Sequence, residues 1–306
     1  MRIIIGTCSW TDPTLLAAHF YPTEANTSEK RLQHYALNFP LVEVDSTYYA
    51  MPAEDTTRLW VERTPPYFTF DIKAFSLFTQ HPTRLSALPK DLRQLLPPKA
   101  NNFYYRDLPR KVRGLLWQMF HDALLPLDSA GKLGVVLFQL PPWLIPENAT
   151  YEHLLECKRN LPHYRLAIEF RNSIWLSERN RRETLNFLRH NDLIYVCVDE
   201  PQGFNSSVPP VVEVTSDISV VRFHGRNENN WNRKGITVAE RFKYLYSDEE
   251  LLEWLPRLAR VASEVKQLHI LFNNCYADYG IKNARDMDRL IRSQPSLFPD
   301  YIRDPD

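Results

Sequence analysis

Glycine is scarce in this sequence, eight among 306 residues, and neither GxGxxG nor GxxxxGK[ST] occurs. The glycine-rich loops that cradle dinucleotides and nucleoside triphosphates are therefore absent. Cysteine is sparser still: Cys8, Cys157, Cys197 and Cys275 form no CxxC pair and no metal-ligand spacing. That argues against a disulfide framework and for reduced thiols in a cytoplasmic protein. Net charge is missing as well, since 37 Lys and Arg balance 37 Asp and Glu, so the molecule as a whole lacks the positive field of an obligate nucleic-acid binder. No apolar run is long enough to span a bilayer. The start, Met1 to Trp10, has too short an apolar stretch for a signal peptide and reads as a first strand.

What the chain does contain is alternation. Short β-rich runs recur at Ile3–Ser9, Leu41–Asp45, Phe68–Lys73, Leu133–Gln139, Arg165–Phe170, Leu193–Val198, Ile218–His224 and Leu268–Asn273. Between them lie patterns of helical period, such as Leu32, Tyr35, Ala36 and Phe39, or Leu251, Leu255, Leu258 and Ala262 behind a capping box at Ser247 and Glu250. Further helices are expected at Glu54–Arg63, Lys111–Leu125, Tyr151–Asn160, Glu178–His190 and Asn283–Ile291, whereas Pro201–Pro210 after the sixth strand reads as loop. Eight strands alternating with helices imply parallel pairing through right-handed crossovers. The predicted fold is an α/β closed (β/α)8 TIM barrel, one domain over residues 1–292 with a tail at 293–306.

Two connections are long, one after strand three (Ala74 to Arg110) and one after strand seven (Gly225 to Tyr246). Both would lie on the carboxyl face, where barrel enzymes build their sites. The stretch 85–113 is a basic loop insertion with seven Lys or Arg against two Asp, interspersed with Phe103, Tyr104 and Tyr105. Its exposed prolines and charges make 87–110 the expected place of first proteolytic cutting. Long basic side chains also cover apolar surface without binding anything.

Strand parity then selects the residues that point into the barrel. Val42 and Val44 facing the helices leave Glu43, Asp45 and Thr47 inside; likewise Asp71 and Lys73, Glu169 and Arg171, and Arg222 and His224 point inward. Asp199 ends strand six, and Gln139, Thr7, Ser9 and Asn273 complete the ring. Such a ring is either a self-neutralising ion layer or the acid, base and charge-binding groups of a site. The catalytic candidates are Glu169, His224, Glu43, Asp199 and Lys73. Cys8 reads as a small buried side chain, Trp10 and Trp175 as ligand-stacking or packing rings, and His34, His153 and His190 as fillers of helix patterns.

Glu43, Glu169, Asp199 and His224 would suit Mg2+ or Mn2+ by donor type, but no HxH or HExxH spacing supports them, and no metal is assigned. No cofactor is indicated. The partner expected is a small polar or anionic ligand, turned over by acid/base chemistry of hydrolase or isomerase type. A nucleic-acid module gripping phosphates with the basic aromatic loops and a noncatalytic scaffold are the alternatives, and no membrane is involved.

At these residues the sequence resembles the YecE-like family, domain-of-unknown-function family seventy-two. The blocks are Ile5-Gly6-Thr7, Val42 to Tyr49, Ile72-Lys73-Ala74, Phe138 to Pro142, Ile168 to Arg171, Val221 to Arg226 and Phe272-Asn273-Asn274. The resemblance implies a TIM barrel with a polar cavity at these motifs and no established reaction. Around that cavity Arg171, Arg222, Arg226, Asp45, Ser46, Tyr48, Gln139, Asn273, Asn274, Asn283 and Trp10 are the expected ligand-binding residues. The chain departs from the pattern at Ser9, where glycine is common before the tryptophan, at Ala50, and in the length of the basic insertion.

Overall fold

A computed structural model describes residues 1–96, 102–299 and 301. Residues 97–101 of the basic insertion and most of the tail beyond 299 lie outside the described residues. Eight parallel strands close on themselves: β1 (Arg2–Cys8), β2 (Leu41–Val44), β3 (Thr69–Lys73), β4 (Leu133–Gln139), β5 (Leu166–Glu169), β6 (Ile194–Asp199), β7 (Ile218–Phe223) and β8 (Gln267–Phe272). Their order around the barrel is the chain order, with β8 closing on β1. The β-rich runs of the sequence thus correspond to strands within one or two residues.

The outer ring consists of α1 (Ser28–Asn38), α2 (Glu54–Glu62), α3 (Arg110–Ser129), α4 (Asn148–Asn160), α5 (Arg181–His190), α6 (Leu255–Glu264) and α7 (Tyr279–Arg292). No helix separates β6 from β7; residues 200–217 run as loop, as the prolines there require. The stripe from Leu251 to Ala262 divides into a short turn at Asp248–Leu252 and α6, and the Ser247–Glu250 capping box forms. Pro256, in the first turn of α6, opens that helix without losing a backbone bond.

Loops on the carboxyl face are fastened by side chains facing away from the barrel axis. The basic insertion is closed by a two-residue antiparallel ladder, Thr83–Arg84 with Asn102–Phe103. Tyr105 is buried, donates to Glu156 (2.6 Å) and accepts from the Trp117 indole (2.8 Å). Two of the insertion's three aromatics, Phe103 and Tyr105, are therefore spent on packing, and Tyr104 alone of the three is exposed. The described end of the tail packs too: Phe298 is buried and the Tyr301 hydroxyl donates to Asp288 at 2.6 Å. Ser9 adopts φ +71°, the left-handed region that favours glycine, which explains why glycine suits this position before Trp10.

One core takes in residues of all eight strands and of the helices around them, so unfolding in urea is expected as one transition by both fluorescence and circular dichroism. Two separated transitions, or two stable halves after limited proteolysis, would contradict it.

Candidate functional site

Parallel strands of adjacent register share a face, so the pairings decide which side chains meet. Cys8 is level with Glu43, Glu43 with Asp71, and Gln139 with Glu169. All of these point into the barrel; parity predicts this for Glu43, Asp71, Gln139 and Glu169, whereas in β1 it puts Thr7 inside, and Cys8 takes that place. Every strand contributes to the resulting axial stack.

At its base Asp71 lies 2.8 Å from His269 Nδ1 and accepts from the Val135 amide at 2.9 Å. Gly134 makes room for this pair, because a Cβ there would stand 2.2 Å from the Asp71 carboxylate. Above them Arg222, wholly buried, donates to Glu43 (2.6 Å) and to Glu169, with Cys8 Sγ 3.5 Å from its Nη2. Higher still, the three guanidinium nitrogens of Arg171 face three different groups: Glu169 Oε1 at 2.5 Å, Glu200 at 2.9 Å and His224 Nε2 at 3.0 Å. Asn273 meets His224 Nδ1 at 2.9 Å. Beside this level Lys73 pairs with Asp45 at 3.4 Å and sits over the Tyr48 ring.

The stack is graded in exposure. The side chains of Glu43, Glu169, Arg222 and His224 are sealed, whereas Lys73 keeps 16% and Asp45 26% of its accessible surface. Arg171 and Asn273 reach the surface marginally and Gln139 partly. Trp231 and Phe242, from the loop after β7, lie beside the His224 ring, and Trp231 also carries the Arg171 guanidinium.

Burial and the neighbouring Arg171 push the His224 imidazole down to about 3, so it is neutral near pH 7. Glu169 resists its own burial: Arg171, Arg222 and His224 hold it well below the usual carboxylate range. Burial lifts Glu200 to about 8, opposed by Arg171 and by the Val208 amide. Glu43 is likewise lifted to about 8 by burial, against Arg222, while Lys73 and Arg222 overcome burial to hold Asp45 low. These shifts carry opposite signs in stability. His224 costs stability as pH falls below about 6.5 toward 3, because the unfolded chain binds the proton there and the folded chain does not; Glu200 costs stability as pH rises from about 4.5 through 8. His224→Asn is therefore expected to lose less stability than the parent between pH 7 and pH 5, and Glu200→Gln to lose less between pH 6 and pH 9, in urea titrations. Parallel curves for parent and variant would refute either assignment.

Several expected residues are placed elsewhere. Asp199 is level with Phe223, which faces the helices. Its carboxylate turns outward to Arg226 (2.8 Å), the Tyr246 hydroxyl (2.6 Å) and the Trp254 indole (2.8 Å). Glu200, one residue on, takes the inward position that sequence reasoning gave to Asp199. Glu43, Glu169, Asp199 and His224 consequently cannot surround one ion.

Arg226 leaves the mouth with Asp199 and reaches Glu250 and Glu253. Asn274 and Asn283 bond each other at 2.8 Å and hold the main chain of Tyr244 and Tyr246 outside the barrel. Thr7 also faces out, against the Tyr35 hydroxyl. Trp10 packs edge-on against Trp60, and Trp175 stacks on Phe170, so both rings are packing anchors. Ser46 is exposed and Tyr48 half-buried at the rim.

His81 was missed by sequence reasoning. It lies edge-on to both Tyr48 and the exposed Trp143, and burial beside Lys73 pushes it down to about 4. Its place in the long loop after β3 was the available signal.

The family model described as "Protein of unknown function DUF72" matches residues 4–303. The UPF0759 protein YunF of Bacillus subtilis is 31% identical over 293 residues, 94% of each chain. A DUF72 family protein (TM1631) of Thermotoga maritima superposes with a TM-score of 0.74 at 28% identity, covering 95% of this chain and all of that one. Another (EF0366), from Enterococcus faecalis, gives 0.76 at 24% identity, covering 100% of this chain and 99% of its own. Among the described residues no helix is long and apolar enough to cross a membrane.

Proposed function

Because this chain belongs to the DUF72 family, whose members are of unknown function, we propose from its own site that it is an enzyme moving protons on a small anionic substrate, by isomerisation or hydrolysis. One observation carries the reading: the ion stack is graded, sealed at Arg222 and partly open at Lys73, Gln139 and Arg171. A layer serving stability alone gains nothing by leaving a lysine and an amide at the mouth. A substrate anion takes its charge balance from Lys73 and from the edge of Arg171. By engaging Arg171 Nη2 it releases His224 Nε2, whose lone pair that nitrogen otherwise occupies. The neutral imidazole is then free as a base, with Asn273 fixing its other nitrogen and Glu169 beneath it stabilising the imidazolium that forms.

The test is retention of a ligand. Native protein examined by mass spectrometry is expected to carry a small anionic molecule that Lys73→Gln loses, with stability changed by no more than about 1 kcal/mol. Changing Arg106, Arg110, Lys111 and Arg113 together to Gln is expected to weaken the same ligand at a similarly small cost in stability. Unchanged retention in both variants would remove the anion from the proposal.

A further inference from the structure

We propose that the barrel mouth beside β1 and β2 is a site for one divalent ion of the zinc class, held by Cys8 Sγ and the carboxylates of Glu43 and Asp45. The observation is a juxtaposition: one ligand atom from each of these residues lies within 4.8 Å of the other two. β1 and β2 bring this about through their register, which sets Cys8 level with Glu43, with Asp45 two residues further on the same face.

A second observation points into the same space. Glu43 is wholly buried, and while its Oε1 accepts from Arg222, its Oε2 is buried with no hydrogen-bond donor. Asp45 Oδ1, across from it, has only the Lys73 ammonium, 3.4 Å away. The buried Glu43 Oε2 needs a positive partner, and a proton or a metal ion can supply it.

Charge and ligand chemistry choose the ion. With its ligands ionised the cluster would hold Cys8, Glu43 and Asp45 against Arg222 and Lys73, the adjoining Glu169 being matched by Arg171. Three negative charges against two positive leave a net negative charge for a cation to offset. A thiolate beside two carboxylates favours zinc over magnesium or calcium, which take oxygen alone. Three protein ligands leave the fourth tetrahedral position open, as in zinc sites that bind water or substrate. Ligand atoms around zinc stand roughly 3.5 Å apart, so closing the site asks only small rotations of Asp45 and Glu43. Arg222 Nη2 already touches Glu43 Oε1 and Cys8 Sγ, so the ion would take Glu43 through its free Oε2 and replace the Arg222 contact at Cys8.

The proposal is independent of the proton-transfer reading, since His224 supplies no ligand. The full-length protein, stripped with a chelator and titrated calorimetrically with Zn2+, is expected to bind one equivalent; with Co2+ in its place it should show thiolate-to-cobalt absorption. Cys8→Ser should abolish that absorption and weaken Zn2+ at least tenfold. Asp45→Asn, at a partly exposed position that leaves the core intact, should also weaken Zn2+ at least tenfold. His224→Asn should bind Zn2+ as the parent does. The proposal falls if the parent takes up no stoichiometric Zn2+, or if it does so without thiolate absorption and equally well in Cys8→Ser and Asp45→Asn.

Discussion

Arg222→Met is expected to lower the unfolding free energy by about 3–5 kcal/mol, read from urea titration at pH 7. The guanidinium is wholly buried and joins Glu43 of β2 to Glu169 of β5 across the barrel axis. Its removal leaves two carboxylates facing each other with no water to take its place. Glu43 already bears the effect of burial, and without Arg222 it would be driven further toward the protonated form. The companion variant tests the cause: adding Glu43→Gln and Glu169→Gln to Arg222→Met removes the orphaned charges and should recover part of the loss. A single variant within about 1 kcal/mol of the parent would show that the interior stack is not held by this cation.

Turnover should respond most to His224. His224→Asn keeps a polar side chain of similar reach next to Arg171 and Asn273 but removes the base. With the ligand identified by retention as substrate, kcat is expected to fall about 10²- to 10⁴-fold with little change in KM. Glu169→Gln separates a positioning role from a purely structural one. If Glu169 supports the imidazolium, the variant loses at least about a hundredfold in kcat while remaining folded, since Arg171 keeps Glu200 and Arg222 keeps Glu43. Large destabilisation with full specific activity in the surviving folded protein would return Glu169 to the ion layer.

Parity worked where a strand alternates charge with apolar side chains. Val42-Glu43-Val44-Asp45 and Leu166 to Arg171 each show one apolar and one polar face, and their inward residues are the ones that meet Arg222 and Arg171. It failed at β6. Ile194 to Val198 is apolar on both faces, as strands of a covered parallel sheet are. No contrast of polarity then said whether Asp199 or Glu200 turned inward. The pairing of Asp199 with Phe223 decided it, and pairing exists only once β7 is beside β6.

The sequence by itself determined the eight strands, the barrel and the inward charges of β2, β3, β5 and β7, because these follow from local periodicity and from the short reach of β/α connections. Tertiary structure decided which inward charges are sealed and which are open. It also drew Arg226 outward to Asp199 and set Cys8 among two carboxylates. Those outcomes depend on side chains from strands far apart in the chain competing for the same partners, so each is fixed by register and burial and none by any residue's sequence neighbours.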